Sequence, residues 1–212
     1  MTPALASVRF AVVDVETSGL SVRRARVLQV GVVTVDADGR VLDRWGTLVR
    51  PRSRWWFRVG PRRIHGIRRR ALRRAPAAEV VLDELIARLD GAVFVAHNAA
   101  FDLAFLQAFA RRAGRTLPVD EPLCTLTLSR ALDPDRRESH RLGDLCHRYG
   151  VELTRAHDAL ADAEATAALL PRLLAAHTIA TPEQVLAARR ITRPPRATGP
   201  EAASGPAQPV VP

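Results

Sequence analysis

The chain contains no lysine. All 32 of its basic residues are arginine, set against 22 acidic ones, so the formal net charge is +10 and the pI about 11.4. A field of that sign favours a polyanionic partner. Arginine's planar fork suits phosphate and stacks on bases, although a GC-rich coding genome would equally yield an Ala- and Arg-rich chain. Cysteine is scarce too. Cys124 and Cys146 form no CxxC pair and sit in apolar surroundings. That argues against a disulfide or a thiolate metal centre, and predicts two reduced core residues in a cytoplasmic protein. No apolar run reaches the roughly 18 residues of a membrane helix, and the first residues lack a charged segment followed by a long apolar stretch. Neither a membrane partner nor a signal peptide is expected. There is no internal repeat.

What is present is enough for one sizeable core, since 47% of the 212 residues are hydrophobic. One folded domain is expected over residues 1–192. From 193 to 212 Pro, Gly, Ala and Ser dominate, the composition of a disordered tail. Val8 to Val15, Val27 to Val35 and Val41 to Val49 read as strands, the last two joined by the turn Asp36-Ala37-Asp38-Gly39, so the three should form an antiparallel meander. Leu82, Leu85, Ile86 and Leu89 recur at helical spacing over 78–90. Ala92 to Ala96 is a short apolar strand, and Asn98 is placed to cap the helix carrying Phe101, Phe105 and Phe109. A fifth strand is expected within Glu121 to Thr125, with a helix near Leu126 to Leu132. Two more follow, one ended by Gly150 and one from about Asp158 to Ala176, and Pro182 is suited to open a last one to Ile191. Strands first, then strand alternating with helix, gives an α/β fold: a mixed five-stranded sheet covered by helices. Ligands in such sheets gather at strand carboxyl ends beside a switch in strand order.

Four acids stand beside apolar runs, where an unpaired charge is costly unless it meets a counter-charge or a metal. Asp14 and Glu16, two apart, share one face of the first strand. Asp102 lies one turn into the helix after the fourth strand, in His97-Asn98-Ala99-Ala100-Phe101-Asp102; the helix dipole alone would also favour an acid there. His97 is either a hydrogen-bond partner behind the acids or a capping residue. His157 and Asp162 are five apart, roughly 140° around a helix, so both can face one site only if His157 is in the preceding loop. Asp158 is then the N-cap. An imidazole there can take a proton near neutral pH, or simply be an exposed loop histidine. The natural counter-charge for converging carboxylates is a pair of hard divalent ions, Mg²⁺ or Mn²⁺.

Taken together, Asp-Val-Glu-Thr-Ser-Gly-Leu at 14–20, His-Asn-Ala-Ala-Phe-Asp at 97–102, and His157 with Asp162 resemble the motifs of the DEDD exonuclease superfamily in its histidine-bearing (DEDDh) branch. That group includes the proofreading exonuclease subunit of bacterial replicative DNA polymerase, RNase T and oligoribonuclease. Ile64-His65-Gly66-Ile67 also looks like a family segment. The resemblance covers about residues 8–176. It implies an RNase H-like fold and metal-dependent 3′→5′ exonuclease activity releasing nucleoside monophosphates. Asp14, Glu16, Asp102 and Asp162 would hold two metal ions, and His157 would be the general base. Thr17, Gly19, Leu20, His65, Asn98 and Phe101 would lie near the 3′-terminal nucleotide. The first motif looks most like the proofreading branch, so single-stranded DNA is expected ahead of RNA, with a DNA polymerase subunit as a candidate partner. An exoribonuclease, and an inactive nucleic-acid-binding module of a polymerase, are the alternatives.

The departure from the family lies in residues 51–63, where the family's connection is shorter and less basic. Residues 50–74 hold eleven arginines and no acid. Arg52, Arg54, Arg58, Arg62 and Arg63 surround Trp55 and Trp56, as aromatic stacking and backbone contacts to a single strand would require. A solvated basic loop with its tryptophans folded onto the core accounts for the same pattern equally well.

Overall fold

The structure, a computed structural model, describes residues 5–51 and 58–191. A short 3₁₀ turn at Leu5–Ser7 precedes β1 (Phe10–Thr17), β2 (Val27–Val35) and β3 (Val41–Leu48). Next come α1 (Arg62–His65), α2 (Arg69–Arg74), α3 (Ala78–Leu89), β4 (Val93–Ala96) and α4 (Ala99–Arg112). The chain continues through β5 (Leu123–Cys124), α5 (Thr125–Ala131), α6 (Leu142–Tyr149), α7 (Ala159–Ala176) and α8 (Pro182–Ile191). The five strands form one sheet in the order β3-β2-β1-β4-β5. β1 pairs antiparallel with β2, and β2 with β3, as expected of the meander. β4 and β5 continue parallel from β1, and the strand order switches between the β2 and β4 sides of β1.

Alternation along β1 separates two cores. Ala11, Val13 and Val15 point into one with α3 and α4, through Leu82, Leu85, Phe105 and Leu106. Phe10 and Val12 point into the other with α6 and α7, through Leu145, Leu169, Leu170 and Leu173. Each buried leucine there contributes about 1.5–3 kcal/mol relative to exposure. Both cysteines are free and buried. No helix among the described residues is long and apolar enough to cross a membrane.

The second face is cut to fit α7. Asp14 of β1 pairs with Gly31 of β2, and Gly31 with Gly46 of β3, so the three lie in one row across the sheet. A Cβ on Gly31 would stand 2.3 Å from the carbonyl oxygen of Ala159, and one on Gly46 3.0 Å from Leu160 Cβ. The two glycines make a trough in which the first turn of α7 rests on the sheet, directly beside Asp14.

Several expectations are corrected. Asn98 does not cap α4 through its side chain: its backbone is left-handed (φ 73°), whereas a side-chain cap needs an extended residue, and it is the Asn98 carbonyl that receives the Phe101 N–H at 2.8 Å. Asparagine tolerates that conformation. The fifth strand shrinks to two residues, because pairing with β4 covers only Val95–Leu123 and Ala96–Cys124. Between Pro61 and Ala77 the chain forms the short α1 and α2 rather than one long helix. Arg52, Arg54, Trp55, Trp56 and the tail 193–212 lie outside the described residues.

Candidate active site

β1 outruns β4. The parallel pairing stops at Val12–Val95, after which β4 ends and the chain turns through His97 and Asn98 into α4. Beyond Val12 no strand among the described residues pairs with β1 on that side. Asp102 supplies the missing acceptor: its Oδ1 takes the Val15 N–H at 3.2 Å while the side chain is only 3% exposed. An acid in the first turn of α4 is thereby fixed between Asp14 and Glu16.

The opposite wall is the start of α7. Asp158 caps the helix as expected, accepting from Ala161 N at 3.3 Å. His157 sits in the preceding loop with φ 66°, and its N–H donates to Asp162 Oδ2 at 3.0 Å. Loop histidine and helical aspartate are thus held to one another. Gln29, opposite Glu16 in the β1–β2 ladder, anchors this turn from the sheet. Its amide nitrogen donates to Asp158 Oδ2 at 3.3 Å, and its amide oxygen faces Ala159 N at 3.5 Å.

Asp14, Glu16, Asp102, Asp162 and His157 line one recess of about 370 Å³, together with Thr17, Gly19, Leu20, His65, His97 and Phe101. One ligand atom each from Glu16, His157 and Asp162 lie within 4.8 Å of one another; Asp14 and Asp102 stand outside that triple. Among the described residues no arginine lines the recess. Burial, followed by the charges of Asp102, Asp162 and Glu16, pushes the Asp14 carboxyl well up. Burial, with Asp162 and Asp158 adding, raises Glu16 to about 7. Burial raises Asp102 to about 8 against the opposing pull of the Val15 N–H. Asp162 is raised by burial too, with the His157 N–H acting the other way. All four are shifted as uncompensated carboxylates are. Oxygen donors without a protein counter-charge fit hard divalent cations, with His157 adding one nitrogen.

The remaining predicted residues divide. Leu20 and Ile64 stand 86% and 53% exposed at the mouth of the recess. Thr17 Oγ1 donates to the Gly19 carbonyl at 2.9 Å and so fixes the turn that presents Leu20. His65 has both ring nitrogens engaged, Nε2 donating to the Val59 carbonyl at 3.2 Å and Nδ1 accepting the Ile67 N–H at 3.0 Å. It braces the segment 59–67 around α1, which carries Ile64, and offers the recess only carbon edge or ring face. His97 Nε2 must donate to the His140 carbonyl at 3.0 Å, so Nδ1 accepts from Thr125 Oγ1 at 3.0 Å. Burial keeps His97 neutral, lowering it to about 4. Asn98 is exposed and does not line the recess. Arg58, Arg62 and Arg63 are exposed and outside its lining. Sequence reading missed Gln29, Gly31, Gly46 and Ile64. Only Ile64 lies within a motif; the other three act through partners far away in the chain.

A mixed sheet with acids converging at the end of its first strand defines a class of metal-dependent phosphodiester hydrolases with an RNase H-like fold. The sequence profile of the family described as Exonuclease, of the RNase T type, matches residues 11–170. The chain belongs to that family, within the DEDDh 3′→5′ exonuclease superfamily. It is 36% identical over 165 residues to a PolC-type DNA polymerase III of Halalkalibacterium halodurans, covering 78% of this chain but only 11% of the polymerase. Exonuclease X, solved in complex with 5′ overhanging duplex DNA, is 27% identical with a TM-score of 0.65, covering 86% of this chain and 99% of that one. The fold also matches Escherichia coli exonuclease I, solved with single-stranded DNA, at a TM-score of 0.71 and 20% identity over 81% of this chain and 41% of that one.

Proposed function

We propose that this protein removes nucleoside monophosphates one at a time from the 3′ end of single-stranded DNA, in proofreading or repair. The observation that carries the proposal is the convergence of Asp14, Glu16, Asp102 and Asp162, uncompensated, on one recess of an otherwise arginine-rich protein. These four carboxylates would hold two divalent ions, Mg²⁺ or Mn²⁺. Bound there, the ions supply charge neutralisation at the scissile phosphate and Lewis acidity toward the attacking and leaving oxygens. His157, at the open side of the recess, takes a proton from the attacking water at a ring nitrogen. Its backbone bond to Asp162 keeps that ring beside the acids. Leu20, Ile64 and Phe101 offer apolar faces to the terminal base and sugar, and the loops braced by Thr17 and His65 set their position.

The DNA preference is supported by Exonuclease X, whose structure holds DNA and whose length this chain nearly spans. The match to a segment of PolC-type polymerases supports a polymerase subunit as partner. Buried, reduced cysteines agree with residence in the cytoplasm.

The test uses 5′-labelled DNA and RNA oligonucleotides of one sequence, with Mg²⁺, Mn²⁺ or EDTA, and Asp14→Ala as the control for contaminating nuclease. A ladder receding from the 3′ end of DNA, absent in EDTA and in the variant, is the expected result. Faster loss of RNA would overturn the substrate, and intact oligonucleotides under both metals would overturn the activity.

A further inference from the structure

Beside the acidic recess lies a second one of about 530 Å³, sharing His97 as a common wall. Arg130, Arg136 and Arg141 line it. Two acids of the surrounding loop, Asp135 and Glu138, are already taken by other arginines. Arg137 pairs with Asp135 at 2.9 Å, and Arg148 with Glu138, itself in the lining, at 3.0 Å. Among the described residues no carboxylate pairs with the guanidinium of Arg130, Arg136 or Arg141. Half-buried Leu126 and Leu142 give the recess an apolar part.

Its shape is held from within. Asp133 takes the backbone N–H groups of Arg137 and Glu138 at 3.1 and 2.9 Å and faces His140 Nε2 at 3.1 Å. His140 Nδ1 meets Ser129 Oγ at 2.8 Å, and the His140 carbonyl holds His97. A Ser-His-Asp chain invites comparison with nucleophilic triads, but Ser129 is 3% exposed inside α5, out of reach of any substrate. The chain instead fixes the loop that carries Arg136 and Arg141, and ties it to the wall of the acidic recess.

We propose that this arginine recess binds backbone phosphates of the same strand, on the 5′ side of the bond being cut. The proposal rests on the exonuclease reading above. Guanidinium forks with no carboxylate partner among the described residues match phosphodiester oxygens, and the apolar part suits the intervening sugars. A strand whose 3′ end occupies the acidic recess reaches the arginines across His97 and there gains the affinity that four like-charged carboxylates deny it. The second strand of a duplex and a free nucleotide are the competing occupants.

The experiment compares the parent with Arg130→Ala/Arg141→Ala and with Arg130→Lys/Arg141→Lys, all exposed positions. Substrates are single-stranded and duplex thymidine tracts of about 12 nucleotides, and the p-nitrophenyl ester of thymidine 5′-monophosphate, which reaches only the acidic recess. For the single strand KM should rise about 10-fold in the alanine variant with kcat within about two-fold, and the salt slope of binding should fall by about 1–2. The ester should be cleaved at nearly the parent's rate, and lysine should restore part of the affinity. Unchanged KM for the single strand, an equal loss on the ester, or a loss confined to the duplex would each overturn the site. Anisotropy of a labelled single strand in Ca²⁺ separates this from the reading of the activity. A parent that binds but never cleaves removes the exonuclease, while weaker binding by the alanine variant still upholds the arginine recess.

Discussion

Two recesses share His97 and are electrostatic opposites. The first gathers Asp14, Glu16, Asp102 and Asp162 with no arginine among its described lining, and the second gathers Arg130, Arg136 and Arg141 with no carboxylate among the described residues paired to them. Neither arrangement is a way to stabilise a fold, since pairing the two sets would cost less than keeping them apart. Their separation is best explained by ligands: cations for one side and phosphates for the other. The acids are nevertheless the more tightly built of the two. Asp102 is clamped to β1 and Asp162 to the His157 backbone, whereas the arginines are exposed and lean on a loop held by the Asp133–His140–Ser129 chain. Precision is concentrated where chemistry needs it, and charge alone suffices where a flexible strand is to be steered.

The largest effect on the acidic side should come from His157→Ala. Loss of a positioned base is expected to lower kcat by about 10²–10⁴-fold, with partial recovery as pH rises and hydroxide replaces it. The measurement is a pH–rate profile on a single-stranded oligonucleotide. A profile that coincides with the parent's would remove His157 from the reaction.

Gly31→Ala tests whether position, rather than charge, distinguishes the two sides. The added methyl would meet the Ala159 carbonyl at 2.3 Å, so α7 must move off the sheet and carry Asp162 with it. A stability loss of about 1–3 kcal/mol is expected in chemical denaturation, with a disproportionate fall in cleavage and no change in binding at the arginine recess. Equal loss of both functions would mean that the glycine trough serves the fold at large.

The acids also predict how stability responds to pH and metal. Asp102 is raised to about 8 and Glu16 to about 7, and Asp14 and Asp162 are raised as well. A carboxyl whose folded value lies above its unfolded one near 4 favours the folded state while protonated. That contribution is complete below about pH 4 and is lost as pH climbs through about 7–8. In EDTA, Tm should therefore fall by about 5 °C or more between about pH 5.5 and 8.5, and Mg²⁺ should restore it only at the upper end. Asp102→Asn should flatten the slope. A level profile in calorimetry would show that the acids are already compensated.

How much of this was legible in the sequence follows from the range of each interaction. The acids announce themselves because each stands beside an apolar run, the meander follows from three Val-rich runs and the turn at 36–39, and α7 from a stretch rich in Ala and Leu. Asp158 as cap and His157 as loop residue followed from helical angle alone. The glycine trough was invisible because Gly31, Gly46 and Ala159 meet only in the folded sheet. Asn98 misled because asparagine is both a good cap and a tolerant left-handed residue, and only the fold decides which. The arginine recess escaped notice since exposed charges follow no period; its arginines come from α5, the α5–α6 loop and the residue before α6.

The smallest effect should come from Gln29→Ala, and it separates anchoring from chemistry within the acidic recess. Gln29 touches Asp158 and Ala159 but is absent from the lining of the recess, and it stands opposite Glu16 in the sheet. Its removal withdraws two long side-chain hydrogen bonds from the start of α7, at 3.3 and 3.5 Å, together worth about 1 kcal/mol. Because the Asp158 cap and the glycine trough remain, α7 should stay seated. The expected outcome is a Tm lower by about 1–4 °C and a kcat reduced only a few-fold, with the pH optimum unmoved. Gln29→Glu is the sharper variant, since it keeps the oxygen that faces Ala159 N but sets a charge against Asp158. It should weaken the site more than alanine does, and Mg²⁺ should offset part of the loss. If glutamate were the milder substitution, the contact with Ala159 N would outweigh the one with Asp158, and Gln29 would hold the helix by its backbone rather than by its cap.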